Sequence, residues 1–322
     1  MDLEIRRARP SDRRGVVAAV RTNWGGDDYI PSVFDRWVTH RTGPFYVAVV
    51  RGRVVGMGKL TRQSAREAWL EGGRVAPRWR RRGIETALVT HRIRRATELG
   101  YEVVRFSTAS NNTPIHRLAR RLGFRRAHRF ARYEAPAAHG QTPRVAEIGE
   151  VAALWRLVRP PAGPGLVQVG GGWDWRDLTR DELLRNVRAR RVLVSGSPDR
   201  ARAYAIVGTG HHRDTLLIRF AAGSDDARAR LFAALRADAR RRGFAKVSGY
   251  AVDGRSAAFV RAGYRRPWSE EAWFFERALN GSGSPRARST SRRNTARDTL
   301  ARNMRSALRV PSNRRHSAGR MR

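Results

Sequence analysis

The chain has no cysteine among its 322 residues. That removes disulfides, thiolate metal ligands and a cysteine nucleophile together. No run of 18 apolar residues occurs, and residues 1–10 carry charge without an apolar stretch, so neither a membrane span nor a signal peptide is expected. A cytoplasmic, soluble protein is the resulting expectation. Acidic residues are few, 28 against 66 Lys and Arg, and lysine itself is almost missing: Lys59 and Lys246 are the only two. The net charge of +38 suits nucleic acid or an acidic surface, because clustered cations release counterions from phosphate. An almost pure arginine bias fits a GC-rich genome equally well. His211 and His212 are adjacent, and neighbours on a strand point to opposite faces, so no metal pair is expected there.

What is present reads as alternating strands and helices. Alternation from Leu3 predicts a strand, and Pro10-Ser11-Asp12 ahead of Val16, Val17 and Val20 marks a helix start. Pro31 opens a second helix through Phe34, Trp37 and Val38, which Gly43-Pro44 stops. Strands over 45–50 and 54–60 joined by Arg51-Gly52-Arg53 make a hairpin. A fourth strand at 67–76, a helix from Gly83 to Gly100, a fifth strand at 101–108 and a short helix at 114–122 closed by Gly123 follow. Strand, helix, strand in this order predicts a right-handed crossover between parallel strands.

The order then repeats. Glu98-Leu99-Gly100-Tyr101-Glu102-Val103-Val104 is echoed by Arg241-Arg242-Gly243-Phe244-Ala245-Lys246-Val247, and Arg121-Leu122-Gly123-Phe124 by Arg261-Ala262-Gly263-Tyr264, at offsets of 143 and 140 residues. Near-equal offsets predict a duplicated domain. The expected division is a first domain over 1–134, a linker over 135–143, a second domain over 144–279 and an Arg/Ser-rich tail over 280–322. That tail cannot bury enough apolar surface to order itself. An arm for nucleic acid or a membrane surface, a solvated segment without a partner, and out-of-frame translation all stay open for it; the last two are preferred.

The segment Val75-Ala76-Pro77-Arg78-Trp79-Arg80-Arg81-Arg82-Gly83-Ile84-Glu85-Thr86-Ala87-Leu88 runs from a strand through a basic turn into a helix. A helix N-terminus offers unpaired amides and partial positive charge, so this arrangement suits a pyrophosphate; a surface helix start with a solvated arginine run is the alternative. After the next strand comes Ser110-Asn111-Asn112-Thr113-Pro114-Ile115-His116-Arg117-Leu118-Ala119-Arg120-Arg121-Leu122-Gly123-Phe124. With both segments in order, residues 3–134 resemble the GNAT superfamily of N-acetyltransferases, most specifically over 67–124.

The resemblance implies an α/β (α+β) fold of two GNAT-like domains, each a mixed central sheet flanked by helices, and an acyltransferase that moves an acetyl group from acetyl-CoA to a primary amine without a metal. It places Arg80, Arg81, Arg82, Gly83, Ile84 and Glu85 at the coenzyme A diphosphate, Val75 and Ala76 along the pantetheine arm, and Asn112 against that arm from the other side. Glu85 stands where the family has a small residue, and its carboxylate is expected to turn outward, away from the phosphates. Glu71 is the candidate base, acting directly or through water, with an ion pair to an arginine as the competing role. Gly72-Gly73 permits a bulge that opens the strand.

The family's tyrosine position falls on Ala119, which leaves Tyr133 or water to protonate the thiolate; His116 reads as packing. Asp27, Asp28 and Tyr29, in Trp24-Gly25-Gly26-Asp27-Asp28-Tyr29-Ile30-Pro31, are candidates for an amine-bearing acceptor, with capping or ion pairing equally open for the aspartates. The Asp-Tyr-Ile-Pro stretch is similar to the histidine N-acetyltransferase branch. In the second half Gly223-Ser224-Asp225-Asp226-Ala227 replaces the phosphate loop, and two carboxylates at a helix start repel an anion, so a degenerate partner domain is expected there. Trp173, Asp174 and Trp175 are candidates for the cleft wall, core being the preferred place for the tryptophans. A monomer or homodimer is expected. A non-catalytic binding module that contacts nucleic acid is the alternative function.

Overall fold

Strands β1 (Glu4–Arg7), β2 (Phe45–Val50), β3 (Arg53–Arg62) and β4 (Glu67–Val75) lie antiparallel and side by side in the computed structural model, which describes residues 2–41, 43–158, 165–170, 172–210 and 212–279. Arg51 and Gly52, both at positive φ, turn β2 into β3 within two residues and leave the strands as neighbours. The longer link from β1 to β2 carries helices α1 (Arg13–Val20) and α2 (Ile30–Thr39). Their apolar faces, with Val16, Val20, Phe34 and Trp37, pack on Val47 and Met57 of the sheet. Helix α3 (Ile84–Glu98) returns the chain to β5 (Val103–Ala109), parallel to β4 as the spacing predicts. Helix α4 (Thr113–Arg121) and β6 (Arg125–Pro136) end the first half. The expected linker is shorter than its composition indicates, because Ala135 and Pro136 close β6, opposite Val247 and Lys246.

The second half supplies β7 (Arg144–Val145), α5 (Val151–Arg156), the hairpin β8 (Leu166–Gln168) and β9 (Trp175–Asp177), α6 (Arg180–Arg188), β10 (Val192–Ser195), β11 (Ala203–Thr209), β12 (Thr215–Gly223), α7 (Asp225–Arg241), β13 (Lys246–Val252), α8 (Ala257–Arg261) and β14 (Glu271–Ala278). Apart from the β8–β9 hairpin, all strands join one mixed sheet of twelve in the order β1-β2-β3-β4-β5-β14-β6-β13-β12-β11-β10-β7. The order is the same from either edge once the last strands of the halves are exchanged. Strand β14 pairs with β5 from Ala272↔Ala109 to Ala278↔Val103, and β6 pairs with β13 from Lys246↔Pro136 to Val252↔Phe130.

The exchange fuses the halves. Alternation along β14 sends Phe274 and Ala272 to one face and Trp273 and Phe275 to the other; Phe274 joins Trp69, Phe130 and Trp175, while Phe275 stacks on Phe106 at 5.1 Å. A strand that is apolar on both faces belongs in the middle of a sheet. Buried Arg105 adds a charged link: it pairs with Glu67 of its own half and with Asp177 at 3.1 Å and Glu276 at 3.2 Å from the other. The tail over 280–322 and His211 lie outside the described residues.

Candidate active site

Strands β4 and β5 stay paired for only three residues, Glu67↔Val103, Ala68↔Val104 and Trp69↔Arg105, and then part. The cause lies in β4. Lys59↔Glu71 and Met57↔Arg74 set two steps of β3 against three of β4, so Gly72-Gly73 forms the bulge that the sequence predicts. Gly72 sits at φ +64 with the Trp37 ring pressed against its Cα side, a conformation and a space that no other residue shares comfortably. Beyond the bulge the strands enclose a cleft of about 1610 Å³, lined from β4 by Glu71 to Arg74, from α3 by Glu85, Val89 and Arg92, and from the β5–α4 turn by Asn111 and Asn112.

Residues 75–84 connect two lining residues, Arg74 at the end of β4 and Glu85 in the first turn of α3. Ala76 donates its amide to Val55 O at 2.9 Å. Alternation therefore leaves Val75, and not Ala76, with its amide toward the opening, which corrects half of that expectation. Arg80 is tied down by Asn23 Oδ1 at 3.1 Å and Val75 O at 3.3 Å. Arg81 and Gly83 both adopt positive φ, at 64° and 78°, the kind of turn that gathers successive amides into an anion-binding nest. Arg82 lies over the Trp79 ring at 5.1 Å. Gly83 caps α3 without a side chain, and among the described residues nothing accepts a hydrogen bond from the amides of Arg81 to Thr86. Six amides at the positive end of a 15-residue helix are thereby free for an anion.

Glu85 differs from expectation. Its carboxylate turns into the cleft, drawn by buried Arg92 two turns along the same face of α3, at 3.2 Å. Arg92 also donates to Leu88 O at 3.1 Å and Glu71 O at 3.4 Å. Burial pushes the Glu85 carboxyl above its ordinary value, and Arg92 and then Arg74 oppose that. The negative charge that was expected to be turned away from the phosphates is instead neutralised from within the protein. Asn112, the N-terminal residue before α4, donates to Thr108 Oγ1 at 2.9 Å and lines the cleft from the side opposite β4.

Glu71 occupies the cleft beside the bulge. Lys59 Nζ donates to its Oε1 at 3.1 Å, and Thr61 Oγ1 donates to the same atom. Oε2 has no partner among the described residues. Lys59 is buried under the Trp37 ring, 5.3 Å from its centre; burial pushes the ammonium down, and Glu71 pulls it back up. Sequence reasoning missed Lys59 and Thr61. The available signal was rarity: one of two lysines in an arginine-rich chain stands between Met57 and Leu60 in an apolar strand.

Tyr29 lines the cleft, edge-on to Trp37 at 5.9 Å and under Arg74. Its two neighbours do not. Asp28 is buried and occupied by Asn23 Nδ2 at 3.0 Å, the Ile30 amide at 3.1 Å and Arg74 Nε at 2.9 Å, so it anchors the loop; Asp27 is exposed and lies outside the cleft wall. Tyr133 does not line the cleft either, since it stacks on Phe259 in the core of the second half at 5.4 Å. His116 packs flat on Trp273 at 4.4 Å. The wall at Ala119 is completed by Pro114, Ile115, Leu118 and Leu122, which donate no proton.

The second half reaches into this cleft. The loop of the β8–β9 hairpin places Gly170, Gly172, Trp173 and Asp174 in its wall, while Trp175 turns into the core, 3.9 Å from the Phe130 ring. The matching place in the second half is closed: β12 and β13 part after Ile218↔Gly249, but Trp175, Phe130, Phe232 and Arg219 leave only about 50 Å³. Among the described residues no group of three His, Asp or Glu side chains could hold a metal ion, and no helix is long and apolar enough to cross a membrane.

Residues 16–124 match the acetyltransferase (GNAT) family. Two solved structures share the architecture at low identity. A GCN5-related N-acetyltransferase from Sphaerobacter thermophilus is 16% identical with a TM-score of 0.61, covering 88% of this chain and 98% of that one. A GCN5-related N-acetyltransferase from Kribbella flavida is 16% identical with a TM-score of 0.50, covering 86% and 72%. No curated protein matches the chain. Residues 16–124 are thus similar to acetyltransferases of the GNAT family, and the likeness in fold spans both halves.

Proposed function

We propose that the chain transfers an acetyl group from acetyl-CoA to a primary amine of a small molecule, an amino acid or a protein. The observation that carries this reading is the row of six free amides, Arg81 to Thr86, around Glu85, which itself lines the cleft opened by the Gly72-Gly73 bulge. The coenzyme A diphosphate would rest on those amides with Arg80, Arg81 and Arg82 around it, while the pantetheine arm runs between the Val75 amide and Asn112. The acceptor enters past Tyr29 and Trp37. Its nitrogen loses a proton to Glu71 Oε2, attacks the thioester carbonyl carbon, and the C–S bond breaks to release a thiolate. Lys59 and Thr61 hold Glu71 in place through Oε1. Water is the proton source for the thiolate, since the wall at Ala119 is apolar; alignment of amine and thioester then supplies much of the rate.

The second half acts as a degenerate copy that carries the exchanged strand and one wall of the cleft. Calorimetry of the full chain with acetyl-CoA is the test. Binding of order micromolar or tighter is expected, and Gly83→Glu, which places a carboxylate among the free amides, is expected to abolish it. A wild type that gives no binding heat overturns the reading.

A further inference from the structure

We infer that Asp174, carried into the first half's cleft by the β8–β9 loop, binds a second positive charge on the acceptor, so that the preferred acceptor is a diamine or another amine bearing a separate permanent cation. This rests on the acetyl-transfer reading of the same cleft. The loop is held from both halves. Val169 N donates to Asp174 O at 3.0 Å, Gln168 Nε2 to Gly172 O at 2.6 Å, and Arg219 Nε to Gln168 O at 2.7 Å, while Ser107 Oγ of the first half donates to Trp173 O. Asp174 is thus placed and not merely exposed.

Its carboxylate is underused. Oδ1 accepts from the Gly170 amide at 3.2 Å, and no cation among the described residues forms an ion pair with Asp174. Of the cations in the cleft wall, Lys59 pairs with Glu71, Arg92 with Glu85 and Arg74 with Asp28, while Arg36 forms no ion pair with Asp174; beside the loop, Arg219 donates to the carbonyls of Gln168 and Val169. Burial pushes the Asp174 carboxyl up, the Gly170 amide opposes that, the charge of Glu71 adds to the rise, and the more distant charge of Arg219 offsets only part of it. A carboxylate in that position gains by acquiring a counter-ion.

The reacting nitrogen cannot be that counter-ion. It must be neutral when it attacks, and its proton goes to Glu71. A charge that persists through the reaction has to sit elsewhere on the acceptor, and the Trp173 ring beside Asp174 offers such a cation an aromatic face.

The test compares 1,4-diaminobutane with n-butylamine, two amines of equal length that differ by one cation, using release of the coenzyme A thiol by the full chain. Wild type is expected to favour the diamine by about 10- to 100-fold in kcat/KM, mainly through KM. Asp174→Asn keeps an oxygen for the Gly170 amide and is expected to erase that preference while calorimetric affinity for acetyl-CoA stays the same; Asp174→Glu is expected to regain part of it. Equal kcat/KM for the two amines in wild type, or an undiminished preference in Asp174→Asn, overturns this inference and leaves acetyl transfer standing. A wild type that binds no acetyl-CoA overturns both.

Discussion

Helices α3 and α7 hold matching places in the two halves, each after a strand that parts from its parallel neighbour, and they begin in opposite ways. Helix α3 starts at Gly83 with no side-chain cap and six free amides. Helix α7 starts at Ser224, whose side chain accepts from the Ala227 amide, and its first turn carries Asp225 and Asp226, paired with Arg228 and Arg261. The first helix leaves its positive end for a ligand, whereas the second uses it internally. The clefts differ in the same sense, about 1610 Å³ against about 50 Å³. One fold can thus keep a site or lose it through a few side chains at a helix start and one hairpin.

The comparison can be broken most severely by separating the halves. A chain ending at residue 143 loses β14 from between β5 and β6 and exposes Trp69, Phe106 and Phe130. No cooperative thermal transition is expected by circular dichroism; a sharp melt would mean that the halves are independent. Next comes Arg92→Met, which leaves Glu85 facing the cleft without its counter-ion. A loss of about 3–5 kcal/mol is expected in urea unfolding, most of it recovered in the double variant with Glu85→Ala.

A smaller effect concerns a feature the halves share. Arg6 clamps Asp12 at 2.7 and 2.8 Å, and Arg144 clamps Glu150 at 2.6 and 2.5 Å. These guanidinium bonds hold both carboxyls below their ordinary values of 3.8 and 4.5. Such groups stabilise the fold while charged, fully above those ordinary values, and the contribution disappears as pH falls through the lower folded ones. Stability is expected to drop below about pH 4, less steeply in Asp12→Asn/Glu150→Gln; an unchanged acid limb in that variant would show that neither clamp matters. Smallest is Ser224→Ala, which removes the α7 cap at a cost of about 1 kcal/mol and leaves acetyl-CoA binding untouched in calorimetry.

Local order was legible where it depends on residues near in sequence. Turn glycines, the Pro31 helix start and the strand-helix-strand spacing placed the elements from β1 to α4 within a residue or two, whereas β6 was not read from the sequence. The Gly72-Gly73 bulge was legible because an adjacent glycine pair inside a strand has few other uses. Glu85 was not, because its direction depends on the burial of Arg92, which packing of α3 against the sheet decides. For Asp28 the sequence left acceptor contact, capping and ion pairing open, and Arg74, 46 residues away, decides for the ion pair.

By itself the sequence determined the fold class, the repeat and the helix start that suits a diphosphate, since periodicity, glycine conformation and backbone amides act within a few residues. Tertiary structure alone decided the exchange of β6 and β14, the pairing of Lys59 with Glu71, and the arrival of Asp174 from the second half in the cleft of the first. Each of those depends on which distant surfaces bury one another, and a strand that is apolar on both faces does not record which neighbours it will take.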